Sequence, residues 1–252
     1  VPSGAICAGT SVTFTATAGN TGGGTVTYDF KVNNVSVQSG TSTTYATTGL
    51  INGDQVTCDI SVSGGTCLTS STASSNTITM TVNPNPIVTC PDDLTVCFTD
   101  AAFTLTGATP TGGEYSGDGV TAGVFDPFSA FPGDNTIIYT YSSGGCTNTC
   151  QFIITVNLPP TASSAGAPQT VCIPTPGNTA LAANAPSIGT GVWSIVAGSP
   201  STNLGQISDV NDPAATFTPD GGAGIYTLRW TISNAPCTAS SSDVVITVAN
   251  NV

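Results

Sequence analysis

No histidine occurs among the 252 residues, and Lys31 and Arg229 are the only basic side chains. The commonest general base is therefore absent. Neither Lys31 nor Arg229 lies in a motif that would activate a hydroxyl or thiol nucleophile, so the chain reads as non-enzymatic, with no catalytic residue. Binding a phosphate backbone needs clustered Lys and Arg, and a net charge of −12 opposes it, which excludes nucleic acid as a partner. No apolar run approaches the roughly 20 residues of a membrane-spanning helix, so membrane insertion is not expected. Charged residues make up only 6% of the chain, far below the roughly 25% of an ordinary soluble domain. Such scarcity would suggest disorder only if apolar residues were scarce too, and they amount to 39%. Ser, Thr, Asn and Gly must supply the polar surface, a pattern of extracellular β-structure.

Val1-Pro2-Ser3-Gly4 has neither the basic start nor the apolar centre of a signal peptide, so the chain is expected to come from a longer precursor. What is present in quantity is cysteine: nine residues, pointing to an oxidising compartment. Cys90 and Cys97, with Cys146 and Cys150, suggest zinc at first sight, but their spacings do not repeat the usual Cys-x2-4-Cys pair.

Three segments end alike: Thr77-Ile-Thr-Met-Thr-Val-Asn-Pro-Asn-Pro86, Phe152-Ile-Ile-Thr-Val-Asn-Leu-Pro-Pro160 and Val244-Val-Ile-Thr-Val-Ala-Asn250. Each is a short β-rich run, and the first two pass into proline, which ends a strand and stiffens a linker. The expected domains are 1–84, 85–158 and 159–252, each the size of a small sandwich rather than parts of one large barrel. Alternating strands begin at Cys58, Ile137 and Leu228, nine residues before Cys67, Cys146 and Cys237. Period-two spacing puts Cys58/Ile60/Val62, Ile137/Tyr139/Tyr141 and Leu228/Trp230/Ile232 each on one half-buried face. An aromatic residue stands in the earlier part of every repeat: Phe30, Tyr115 and Trp193. The 29 Gly and 17 Pro residues fall between strand-like runs as turn formers.

Three groups of stretches carry a family likeness. The first is Ile6-Cys-Ala-Gly-Thr-Ser-Val-Thr-Phe-Thr-Ala16 with Tyr28-Asp-Phe-Lys-Val-Asn33 and Asn52-Gly-Asp-Gln-Val-Thr-Cys58. The second is Gly112-Gly-Glu-Tyr-Ser-Gly-Asp-Gly-Val120 with Phe125-Asp-Pro127 and Gly144-Gly-Cys-Thr147. The third is Gly191-Val-Trp-Ser194 with Tyr226-Thr-Leu-Arg-Trp-Thr-Ile-Ser-Asn-Ala-Pro-Cys237 and Asp243-Val-Val-Ile-Thr-Val248. Together they resemble the Ig-like, PKD-like and HYR-like modules of giant Bacteroidota cell-surface proteins, SprB-like gliding adhesins among them. The resemblance implies an all-β chain of three tandem Ig-like/PKD-like β-sandwich domains arranged end to end. It further implies export by type IX secretion and an extracellular location at the outer-membrane surface.

Under this reading the chain is a structural or adhesive repeat segment, a stalk or adhesin serving attachment or gliding. A subunit of an extracellular filament, or accessory domains of a secreted enzyme, are the alternatives. Its partners would be neighbouring repeats of the same chain, surface polysaccharide or other cell-surface proteins.

Acids sit beside glycine at Gly53-Asp54, Gly117-Asp118-Gly119 and Asp220-Gly221, where turn formation is the plainer reading. No cofactor is expected. Calcium is the one metal the acids could hold, at Asp92 and Asp93 after the first linker or Asp209 and Asp212 in repeat three. None of these forms an EF-hand loop. Sugar binding would call on exposed aromatic rings, and both tryptophans fall in core patterns. Asn34-Val35-Ser36 is a formal glycosylation sequon.

Analogy between repeats pairs Cys7 with Cys67, Cys97 with Cys146 and Cys172 with Cys237, and leaves Cys90 with Cys150 as a further bridge. Cys58 is then the odd thiol, a small hydrophobe in a strand. The analogy carries a tension. A disulfide needs Cα atoms within about 7 Å, whereas in a simple Ig topology the first strand and the late hairpin of one domain end far apart. Cys7–Cys58 is the alternative in repeat one.

Overall fold

Alternating apolar residues on short, glycine-bounded strands fold here into sandwiches whose inner faces meet as three separate cores. The computed structural model describes residues 4–173 and 177–250. Apart from the one-turn 3-10 segment Leu204–Gln206, its regular elements are strands, so the chain is all-β as expected.

The first core gathers Val12, Phe14, Tyr28, Phe30, Val56, Cys58 and Met80. It lies between the pair Val12–Thr15 with Thr44–Thr47 and a sheet ordered Val35–Gly40, Thr25–Val32, Gln55–Ser63, Thr72–Ser74. Phe30 stands opposite Cys58 in that sheet, and Tyr45 reaches across to stack on both Phe14 and Phe30. The second core is built from Val96, Phe125, Ile137, Phe152, Ile154 and Val156. Its sheet runs Leu94–Cys97, Cys146–Asn157, Gly133–Ser143, Glu114–Ser116, faced by three short strands. The third core is the most aromatic, with Trp193, Phe217, Tyr226 and Trp230 all at 0% exposure. Its main sheet runs Gln169–Ile173, Ser240–Asn250, Gly224–Ser233, Thr190–Ile195.

The three aromatic positions of the sequence pattern occupy these cores: Phe30 and Trp193 are buried and Tyr115 is half-buried. Of the alternating trios, Leu228, Trp230 and Ile232 are wholly buried. Trp193 and Trp230 face each other across paired strands with ring centroids 5.1 Å apart. Each indole N–H is satisfied by a backbone carbonyl, of Asp212 and of Asn184 respectively, as burial of a donor requires.

A recurring device closes each repeat. A short opening strand lies parallel to the closing strand and ends beside the linker. Cys7 stands opposite Asn83, Cys97 opposite Asn157, and Cys172 opposite Ala249. In each case the residue before the cysteine (Ile6, Val96, Val171) points inward against the core. Contacts divide the chain into two compact units: residues 1–89 with 108–114 and 140–150, and residues 90–107 with 115–139 and 151–252. The second repeat's hairpin thus belongs to the first unit, and the second unit holds the second and third cores.

Candidate functional site

The cysteines form the most distinctive chemical feature, and their bonding differs from the within-repeat expectation. Cys7 bonds to Cys146 and Cys97 to Cys237, each pair linking the opening strand of one repeat to the late hairpin of the next. Cys90 and Cys150 are also disulfide-bonded. Cys58, Cys67 and Cys172 are free thiols. The expected pairs Cys7–Cys67, Cys97–Cys146 and Cys172–Cys237 do not form, nor does Cys7–Cys58.

The third repeat gives the physical reason. Cys172 lies opposite Ala249, near the end of the 11-residue strand Ser240–Asn250, while Cys237 precedes its start. Nine strand residues at about 3.3 Å each put some 30 Å between them, far beyond disulfide reach. The opening-strand cysteine therefore faces forward, toward the hairpin of the following repeat. The bonded Cα atoms are 5.5 and 4.9 Å apart.

The two joints share a second contact, which the sequence reading did not anticipate. Asn83 donates its side-chain amide to the Gly144 carbonyl at 2.6 Å, and Asn157 donates to that of Ala235 at 2.6 Å. In both joints the acceptor lies two residues before the hairpin cysteine. Further amides bind the linkers: Asn85 donates to Ala8, Asn148 to Pro86, and Asn234 to Leu158. Each repeat boundary is thus covalently bridged and clamped by asparagine. A signal for this was present, because Asn follows Thr-Val at the end of the first two repeats and is replaced by Ala249 in the third. The bonded separations, 139 and 140 residues, also nearly coincide.

The acids occupy structural posts. Asp54 is buried and accepts from the Ile51 backbone N–H and the Asn33 amide. Asp93 accepts from the backbone N–H of Ile153. Asp209 and Asp212 each accept a backbone N–H two residues on, as turn-forming aspartates do. Among the described residues no three Cys, Asp or Glu side chains converge as a metal site would require. Asp29 and Asp59 line an open polar hollow on the first repeat's sheet, with Thr27, Ser36, Thr72 and Ser74. Lys31 sits 2.6 Å from Asp59 and 3.5 Å from Asp29. Its hydrogen bond, and then that of Ser74, hold the Asp59 carboxyl below the usual range, so this group is kept ionised and unsuited to general-acid work.

Arg229 forks onto Asp243 with bonds of 2.7 and 2.8 Å and lowers its carboxyl in the same way. Burial pushes the Cys58 thiol up, in keeping with an inert core residue. Tyr226 ties its own strand entrance, its hydroxyl donating to the Gly222 carbonyl and accepting from the Gly221 N–H. This is the tyrosine corner of Ig-type sandwiches. Asn135 holds the matching place in repeat two, its amide donating to the carbonyls of Phe131 and Gly133.

Both tryptophans are core residues. The exposed aromatic rings include Phe128 and Phe131, on the loop after Phe125, at 72% and 70% exposure. The sequon residue Asn34 is exposed at a hairpin turn, and Ser36 donates to Asp29.

No protein-family model matches the chain, and no curated protein matches it in sequence. Solved structures do. The N-terminal eight Ig domains of Down syndrome cell adhesion molecule superpose with a TM-score of 0.55 at 12% identity, over 97% of this chain and 35% of that one. The I-band fragment I67–I69 of titin matches with a TM-score of 0.44 at 13% identity, over 99% and 96%. The PKD domain of human KIAA0319 matches with a TM-score of 0.30 at 15% identity, over 36% and 82%. With its three cores and the likeness to the eight-domain structure, the chain has the fold of about three tandem Ig-like domains.

Proposed function

We propose that the chain is a load-bearing repeat segment of a large cell-surface protein, a stalk or adhesin, with repeats spanning 1–84, 85–158 and 159–252. The observation that carries this reading is the covalent joint. Each repeat boundary has its own disulfide from opening strand to next hairpin, reinforced by an asparagine clamp. A segment that transmits tension gains from such joints, because neighbouring repeats then cannot be pulled apart without breaking a covalent bond. Disulfides of this number belong to an oxidising, extracellular setting. A surface of hydroxyls and amides suits a spacer exposed to solvent.

The resemblance of the repeat motifs to modules of Bacteroidota surface proteins supports the finer reading: type IX export, outer-membrane attachment, and a part in attachment or gliding. Partners are neighbouring repeats, with surface polysaccharide or other surface proteins met at loops and strand edges. Antibodies raised against the chain should label intact, unpermeabilised cells of its source, and loss of the gene should reduce attachment or gliding. Antigen confined to the cell interior would refute the proposal.

A further inference from the structure

Each formed joint uses two halves: an opening-strand cysteine from one repeat and a late-hairpin cysteine from the next. Three repeats offer three of each, and only two joints lie inside the chain. Cys67, the hairpin cysteine of repeat one, and Cys172, the opening-strand cysteine of repeat three, are left over as free, exposed thiols. Of their bonded counterparts Cys7 is half-buried and the other three are buried. Cys146, Cys97 and Cys237 show 1%, 2% and 8% exposure.

The leftover halves hold places in their repeats equivalent to those of the formed ones, though Cys67 alone of these cysteines has a left-handed backbone, at φ 59°. Cys172 lies on a strand parallel to the closing strand, opposite Ala249, just as Cys7 and Cys97 lie opposite Asn83 and Asn157. Cys67 sits in the connection between Gln55–Ser63 and Thr72–Ser74, Cys237 in that between Gly224–Ser233 and Ser240–Asn250, and Cys146 just past the corresponding turn, as the first residue of Cys146–Asn157. The Gly65 carbonyl stands two residues before Cys67, at the offset where Gly144 and Ala235 accept an asparagine amide.

We infer that Cys67 and Cys172 are open halves of the same joint, and that each bonds the complementary cysteine of a further Ig-like repeat of this kind. A second copy of this chain, set head to tail, presents both complements, Cys172 to Cys67 and Cys67 to Cys172. The inference rests on the repeat architecture and does not depend on surface display. Closing the joint is thiol–disulfide exchange with a small disulfide oxidant such as oxidised glutathione. The Cys67 thiolate attacks the oxidant and releases one glutathione thiolate. The Cys172 thiolate of the second copy then attacks the Cys67 sulfur and releases the other. Two protein thiols lose two protons and two electrons, and one oxidised glutathione becomes two reduced molecules. Buried Cys58 takes no part.

The test uses the full chain, concentrated in a glutathione redox buffer, with non-reducing electrophoresis and mass mapping of linked peptides. The expected result is a ladder of covalent oligomers that collapses on reduction, with Cys67–Cys172 peptides at least tenfold over either homotypic pair. Chance coupling would give only about twice each. Cys67→Ser and Cys172→Ser, each alone, should stay monomeric, and a mixture of the two should stop at dimers. Both variants must first show intact Cys7–Cys146 and Cys97–Cys237 bonds, which establishes that they fold. Absence of oligomers, linkage at the chance ratio, or dimers formed by one variant alone would overturn the inference. Surface labelling of cells is unaffected by any of these outcomes, so the two proposals fail separately.

Discussion

The side-chain amide of Asn157, on the last residue of a closing strand, donates to the Ala235 carbonyl two residues before the cysteine that Cys97 bonds. The contact belongs to the joint and to neither core. Asn157→Ala should therefore leave overall melting nearly unchanged while loosening the joint by the worth of one hydrogen bond, about 1 kcal/mol. Amide hydrogen exchange at residues 233–239 should quicken roughly fivefold. An equal rise in exchange throughout the third core would refute the local role.

The overlapping disulfides predict a short tether. Pulled from its ends, the fully reduced chain can extend to roughly 850 Å at about 3.4 Å per residue. With Cys7–Cys146 and Cys97–Cys237 intact, a covalent path already runs from 7 to 146, back from 146 to 97 and on to 237. Single-molecule stretching of the oxidised chain should reach about a third of the reduced length at most. Recovery of the full length without reductant would show that the joints are not closed.

Gly191 is required by its neighbour. A Cβ there would stand 2.0 Å from Cζ2 of the fully buried Trp230, closer than any rotamer change of an indole locked between strands can relieve. Gly191→Ala should destabilise the third repeat by about 1–3 kcal/mol, the usual cost of overpacking. Both tryptophans lie in that core, so fluorescence excited selectively at tryptophan, away from the tyrosines of the other repeats, reports its unfolding alone. An unchanged fluorescence transition would contradict this packing.

The Arg229–Asp243 fork sets a pH dependence whose sign is fixed. The Asp243 carboxyl is lowered in the folded chain from its ordinary 3.8, chiefly by the hydrogen bond from Arg229. A lowered carboxyl contributes stability that is fully present above its unfolded value and lost as pH falls through the folded one. The stability difference between wild type and Asp243→Asn should be constant from pH 8 to 5 and shrink below pH 4. Both partners are well exposed, so the difference should also fall with salt. A gap that widened on acidification would be inconsistent with the ion pair.

The sandwiches were legible because their signals are local. Alternation at Leu228, Trp230 and Ile232, and the repeated Thr-Val endings, follow from which face of a strand must be buried. The partners of the cysteines were not, because a disulfide depends on which end of a sandwich each residue reaches. Repeat analogy finds equivalent residues, such as Cys7, Cys97 and Cys172, but equivalence says nothing of whether a bond closes within a repeat or across to the next. The parallel register of Cys172 with Ala249 decides that, and register between distant strands leaves no mark in composition. The asparagine clamps were missed for a related reason. Asn83 and Asn157 read as strand-ending residues before proline or Leu-Pro, which they also are. Tyr226 carries no such local signal either, since its hydroxyl serves the turn behind its strand.

The interlaced bonds also bear on survival among extracellular proteases. Every peptide bond from Cys7 to Cys237 lies inside at least one of the two disulfide-closed rings, and those between Cys97 and Cys146 lie inside both. A single nick anywhere in that stretch opens a ring without severing the molecule. The damaged chain keeps its two ends connected through sulfur, and only reduction or a second, suitably placed cut would shed a fragment.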